Sequence, residues 1–299
     1  MRRILLFIPM LFLMSLLSFA LIQAPPGDYL TDYLAAAQAQ GEFFTRGDAE
    51  ALRHQFGLDR PIYVQYLKWI WGVLHWDMGL SLEFQQPVTE LLNERLLMTV
   101  MLIVFTIVFT WTMAVPIGII SAVKQYSILD YGFTFLSYLG VGTPNFLLAL
   151  VMMWFALSLF GLNVTGLFSS EYIDAPWSIG KVVDMLKHIW VPMLILGTDG
   201  TARLTRIVRA NLLDELTKPY VETARAKGLP EWKVILKYPV RLGLNPFVST
   251  AGLELAGAFG GSLIVATVMS LPTIGPLLLR ALLSQDMFMA GSLVLITTV

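Results

Sequence analysis

Two carboxylates, Asp199 and Glu254, fall at or beside the depth of long apolar runs, and an ionisable group so placed is costly and functional by default. Either could line a solute pathway or join two helices. For Asp199 a plainer reading competes, a helix-end position near water with local pairing to Arg203. Gly257-x-x-x-Gly261, with Ala256 and Gly260 beside it, makes a small-residue face on which another helix can pack closely. That face would line a pathway only if it pointed inward. Signatures of covalent chemistry are missing. The chain has no cysteine, which excludes disulfides, thiolate-bound metals and thiol catalysis together. His54, His75 and His188 lie far apart and form no metal-ligand spacing. A Walker phosphate loop, H-E-x-x-H and G-x-S-x-G are all absent, so this chain is not expected to hydrolyse ATP by that loop or to act as an enzyme.

The informative stretch is 218–233, reading Lys-Pro-Tyr-Val-Glu-Thr-Ala-Arg-Ala-Lys-Gly-Leu-Pro-Glu-Trp-Lys. Pro219 sits where a helix can begin, and Gly228 is a natural residue to end it, with Pro230 preventing continuation. A second helix is expected from Glu231 toward Tyr238. Ala224 and Ala226 are small enough for another backbone to come close. A helix, a sharp turn and another helix would stand off the membrane and suit a cleft on a partner. The competing reading is a basic amphipathic helix drawn to anionic lipid.

What must carry these residues is a membrane fold. Apolar residues make up 56% of the 299 positions and charged residues 14%, with a mean hydropathy of +0.69. Ordinary soluble chains carry roughly 25% charge. Apolar runs at about 4–24, 96–123, 133–162, 189–198, 245–270 and 287–299 give six expected transmembrane helices in an all-α integral membrane protein. Pro116 and Pro144 are tolerable inside such helices. The first run follows Arg2 and Arg3 and resembles a signal peptide, but its length favours an uncleaved spanning helix, 1–24. Residues 25–95 hold ten acidic and five basic residues and read as an extramembrane domain with an amphipathic helix at 63–74. Trp69, Trp71 and Trp76 there read as interfacial anchors. Residues 96–299 form the transmembrane core, and 203–245 are its loop. The last run is too short to cross about 30 Å of hydrocarbon, so the final helix is expected to be truncated.

Orientation follows the lysines and arginines. Nine basic and four acidic residues lie between Arg203 and Arg241, and Lys124 adds to the turn after the second run. With the N-terminus in the cytoplasm and six spans, every basic region is cytoplasmic and 25–95 faces outward. The net charge of −1 gives no basic field for nucleic acid.

Glu222-Thr223-Ala224 followed by Gly228 resembles the EAA loop of ABC importer permeases. An ordered set of further motifs is similar to the dipeptide/oligopeptide (peptide/nickel/opine-type) permease family, first of its two membrane subunits. The set is Pro26-Gly27-Asp28, Gly57-Leu58-Asp59-Arg60-Pro61, Asp77-x-Gly79-x-Ser81, Glu94-Arg95-Leu96, Pro116-x-Gly118 and Pro272-x-x-Gly275. Thr223 departs from the triplet, and Ala266 and Thr273 stand where many members have glutamate and glycine. The Ala-Pro-Pro-Gly-Asp-Tyr-Leu and Ser-Leu-Pro-Thr variants resemble a branch for oligosaccharides or other solutes rather than peptides.

The resemblance implies a permease subunit of an ATP-driven, binding-protein-dependent importer in the bacterial inner membrane, for peptides or similar small solutes such as oligosaccharides, coupling ATPase motion to alternating access. Its implied partners are a homologous second permease, two cytoplasmic ATPases carrying ATP and Mg, an extracytoplasmic solute-binding protein and the lipid bilayer. No cofactor is implied for this chain itself. Glu222, Thr223, Ala224, Ala226 and Gly228 would be the ATPase-coupling residues. The rival is a secondary transporter or channel without ATPases, disfavoured because no inverted second half is visible. A membrane enzyme would need a nucleophile or metal site that is missing.

Overall fold

A computed structural model describes residues 2–24, 29–31, 34, 50, 51, 53, 54, 57–245 and 263–298. Among these the chain is helical, with one isolated bridge between Leu80 and Pro87. Two compact units result, one of Met1–Thr99 with Thr273–Val299, the other of Val100–Pro272.

The first unit is built on α1 (Arg2–Ile22), α2 (Ile62–Leu74), α10 (Ile274–Leu283) and α11 (Met287–Thr298). Its core joins Phe19, Tyr66, Trp69, Leu91, Ile274 and Leu293. The expected amphipathic helix at 63–74 is present as α2, but Trp69 is not an interfacial anchor. It is 2% exposed, stacks on Phe19 at 5.9 Å and donates its indole N–H to Ser292 at 3.3 Å. Helical spacing placed Trp69 on the face opposite Trp71, which is 67% exposed, and only the arrival of α1 and α11 buries it. A turn at 80–87 is pinned by Asp286, whose carboxylate accepts from the Ser81 hydroxyl at 2.6 Å and the Leu82 and Glu83 amides at 2.8 and 3.2 Å. The other Asp286 oxygen accepts from the Met289 amide at 3.1 Å in the first turn of α11.

The second unit holds most of α3 (Val88–Val123), then α4 (Ile128–Gly142), α5 (Asn145–Phe160) and α6 (Ile179–Leu216). Helix α3 has 36 residues, about 54 Å at 1.5 Å each, and is the one described helix long and apolar enough to cross a bilayer by itself. It begins eight residues before the expected start at 96, so Glu90, Glu94 and Arg95 lie in its first turns, within the first unit. Gly118 lets it touch α6. A Cβ there would stand 2.7 Å from the Val208 side chain.

The expected span 133–162 is two helices, α4 and α5, bent by 103°. Pro144 supplies no N–H and its ring drives Thr143 to extended geometry, φ −96° and ψ 120°. Pro116 leaves α3 unbroken, whereas Pro144 follows Gly142, a poor helix former that has already weakened the turn.

The expected span 189–198 is the middle of the 38-residue α6. Residues 203–216, assigned from sequence to the loop, continue this helix. Leu204, Val208 and Leu212 recur every four residues and are each 1% exposed, so one apolar stripe carries α6 through its basic stretch. Residues 263–268 are helical and belong to the expected span 245–270, while Glu254, Gly257 and Gly261 lie outside the described residues. Counted by length and apolarity, the described helices give one span, or two with the bent pair, beside shorter apolar helices at Leu6–Ile22, Ile274–Leu283 and Met287–Thr298.

Candidate coupling element

Beyond α6 the chain folds into three short helices. These are α7 (Pro219–Ala226), α8 (Glu231–Lys237) and α9 (Pro239–Gly243). The start and stop of α7 match the expectation. Pro219 occupies its first turn, and Gly228 takes φ +72°, which costs glycine little. Pro230, at φ −63° and ψ 141°, then opens α8.

One face of this hairpin is already occupied. Val221, Ala224 and Val234 are 0%, 5% and 0% exposed and pack with Tyr220, Leu229 and Tyr238. A second cluster ties α8 and α9 to the longer helices through Ile235, Val240, Leu212 and Ala122. Ala224 therefore serves the hairpin's own core, and its small size lets α7 and α8 approach one another rather than a partner.

The opposite face is open. Glu222, Thr223, Arg225 and Ala226 are exposed, and Trp232 is 61% exposed beside Lys233. Arg225 donates to Glu231 from Nη2 at 2.7 Å and Nε at 3.2 Å, closing the turn across Gly228. The Arg225 guanidinium holds the Glu231 carboxyl below its usual range, and Glu231 raises Arg225 in return. Both ends are about half exposed, so solvent screens the pair to less than about 1 kcal/mol. At the base of the hairpin the Tyr220 hydroxyl donates to the Glu215 carboxylate. Burial, and then that hydrogen bond, push its pKa up to about 12. Such a surface can grip a partner by charge, hydrogen bonds and one aromatic ring, and offers no group for covalent chemistry.

Asp199 pairs with Arg203 one turn on, as the local reading expected, but in mid-helix rather than at a helix end. Sequence reasoning missed a buried ion pair. Asp130 is 2% exposed, and its carboxylate accepts from Arg209 Nε at 2.7 Å and Nη2 at 2.8 Å. A local signal existed, because Ser127-x-x-Asp130 spells a capping box. Ser127 indeed accepts from the Asp130 amide at 3.3 Å, and Asp130 accepts from the Tyr126 amide at 2.9 Å. Its partner 79 residues away had no local signal.

Comparison with known proteins supplies the context for this element. A family model described as the N-terminal part of binding-protein-dependent transport system membrane components matches residues 1–103. A second, described as the inner membrane component of binding-protein-dependent transport systems, matches residues 114–299. The oligopeptide transport system permease protein AppB of Bacillus subtilis is 33% identical over 95% of this chain and 87% of its own length. A putative peptide permease of Brucella suis is 34% identical over the same shares. The dipeptide transport system permease protein DppB of Escherichia coli is 30% identical over 99% of this chain and 91% of its own. Matched over nearly its whole length, the chain belongs to the inner membrane components of binding-protein-dependent transport systems and is a permease subunit.

Proposed function

We propose that this permease imports peptides, with α7 as the helix through which ATPase motion enters the membrane core. The observation that carries this reading is the two-sided hairpin. Its inner face is packed by Val221, Ala224 and Val234, while Glu222, Thr223, Arg225 and Ala226 remain outward and unburied. A helix that moved against its own core would waste a push. This one is stiff where it is attached and open where it would dock.

In this reading two ATPase subunits hold ATP and Mg, and each inserts force at one permease. A homologous second permease completes the pathway, and a solute-binding protein delivers cargo from outside. The N-terminus and the hairpin face the cytoplasm of a bacterial inner membrane, which the nine basic residues between Arg203 and Arg241 support. Residues 25–95 face outward. Peptide cargo is favoured over oligosaccharide by the relatives, which include oligopeptide and dipeptide permeases. An ATPase-independent carrier gains no support from any of them.

Cysteine crosslinking tests the reading directly, since the chain has no cysteine of its own. Ala226→Cys is paired with a cysteine in the groove of the co-encoded ATPase, in a transport-active preparation. A crosslink whose yield changes with ATP is expected. No crosslink at Ala226 under any nucleotide condition would defeat the coupling assignment.

A further inference from the structure

Helices α4 and α6 run antiparallel, with Arg206 of α6 over the Tyr138 ring of α4 at 5.4 Å and two further points of attachment on either side. At one, Arg209 holds the buried Asp130 through two bonds of 2.7 and 2.8 Å. At the other, Gly140 brings the helices into near contact, since a Cβ there would lie 3.1 Å from Thr198 Cγ2 and 3.2 Å from Ala202 Cβ. Between these points a cavity of about 210 Å³ opens beside the seam, bounded by Phe133, Leu136 and Ser137 of α4, by Thr198, Thr201 and Thr205 of α6, and by Phe109 and Ile117 of α3. Packing along this stretch is incomplete on the cavity side, and the contacts at its ends help to set the register of the two helices.

Arg209 stands eight residues before the Thr217 cap that hands α6 over to the coupling hairpin, a distance of about 12 Å along the helix. Its planar fork fixes the angle as well as the separation of its partner, which an apolar contact would not. The remaining Asp130 contacts reinforce this from the α4 side, from the Tyr126 amide at 2.9 Å and the Thr134 hydroxyl at 3.5 Å. We propose that Asp130 and Arg209 are a positioning pair that fixes α4 to α6, so that displacement of the hairpin moves both helices as one body. Without the pair, the cavity beside the seam leaves the helices room to shift, and part of the stroke would be lost there. The proposal rests on the reading that α7 couples to an ATPase.

The test uses the complete transporter in liposomes, with peptide uptake and ATP hydrolysis measured on the same preparation. Asp130→Asn and Arg209→Lys keep the size of each side chain but remove the charge or the fork. Both are expected to assemble and to hydrolyse ATP near the wild-type rate, while uptake per ATP falls by about tenfold, the scale of an ordinary coupling free energy. Uptake and hydrolysis falling in equal proportion would reduce the pair to a structural brace, and unchanged coupling would remove its role. A second measurement stands even if a variant fails to assemble. Spin labels at Ile128→Cys and Ala210→Cys, both exposed, report the distance between the helices. One narrow distance, unaltered by ATP, is expected in the otherwise wild-type chain, and a shift on adding ATP would overturn the proposal. Absence of the Ala226→Cys crosslink with Asp130 and Arg209 intact would instead count against the coupling reading, so the two failures are distinguishable.

Discussion

Ala224 and Val234 bury one another across the turn at Gly228, leaving Ala226, two residues further on, in solvent. Two alanines in one short helix thus have opposite duties, and larger side chains at the two positions should separate them. Ala224→Leu overpacks the hairpin and costs about 1–3 kcal/mol. Proteolysis at Lys227 should accelerate in that variant. Ala226→Leu should leave proteolysis unchanged yet reduce recovery of the ATPase with the purified permease. Equal proteolysis of both variants would contradict the assignment of faces.

Gly228 has open space around its Cα, so nothing steric forbids a side chain there. Its φ of +72° does, because an ordinary L-residue in that region loses about 1–2 kcal/mol. Gly228→Ala should lower the stability of the hairpin by roughly that amount, and Gly228→Asn by less, since asparagine tolerates the left-handed region. Hydrogen exchange at the Val234 amide reads the difference. Identical exchange in both variants would mean the turn relaxes freely.

The Asp130–Arg209 pair predicts a strongly non-additive mutant cycle. Arg209→Ala leaves a carboxylate buried without its partner and should cost about 3–5 kcal/mol. The double variant Arg209→Ala with Asp130→Ala removes both charges and should recover much of that loss. Thermal unfolding in detergent, followed by far-ultraviolet circular dichroism, measures all four corners. Simple additivity would indicate that Asp130 finds other solvation.

Tyr220 gives a pH signature. Its pKa is raised in the folded state, so the stabilising Tyr220–Glu215 bond is fully present below the usual tyrosine value of 10 and is lost as pH rises through about 12. Tyr220 should ionise late in an absorbance titration. Tyr220→Phe should reduce the absorbance change near that pH by one tyrosine. An absorbance change near pH 12 that the substitution leaves at full size would contradict the assignment.

Breaking the Asp286 hub should loosen the first unit. Asp286→Ala orphans the Leu82, Glu83 and Met289 amides and the Ser81 hydroxyl at once. A buried donor left unpaired costs about 1–3 kcal/mol. Asp286→Asn keeps an acceptor oxygen and should be milder. Protease resistance of the 80–87 turn ranks them, and equal susceptibility would show that water replaces the lost acceptor.

Much of the hairpin was written locally. Pro219, Gly228 and Pro230 act through the φ and ψ they themselves permit, so the start, the stop and the second helix could all be read before any contact was known. The long apolar run of α3 and the absence of cysteine are likewise properties of composition, and the run of family motifs is a property of order along the chain. Tertiary structure alone decided which side of each element is buried. Trp69 became core because Phe19 and Ser292, 50 and 223 residues away, converge on it. Ala224 turned inward because Val234 meets it, and Asp130 found Arg209 across 79 residues. Local backbone preferences need only a few neighbouring residues, whereas burial and ion pairing depend on which distant segments pack together.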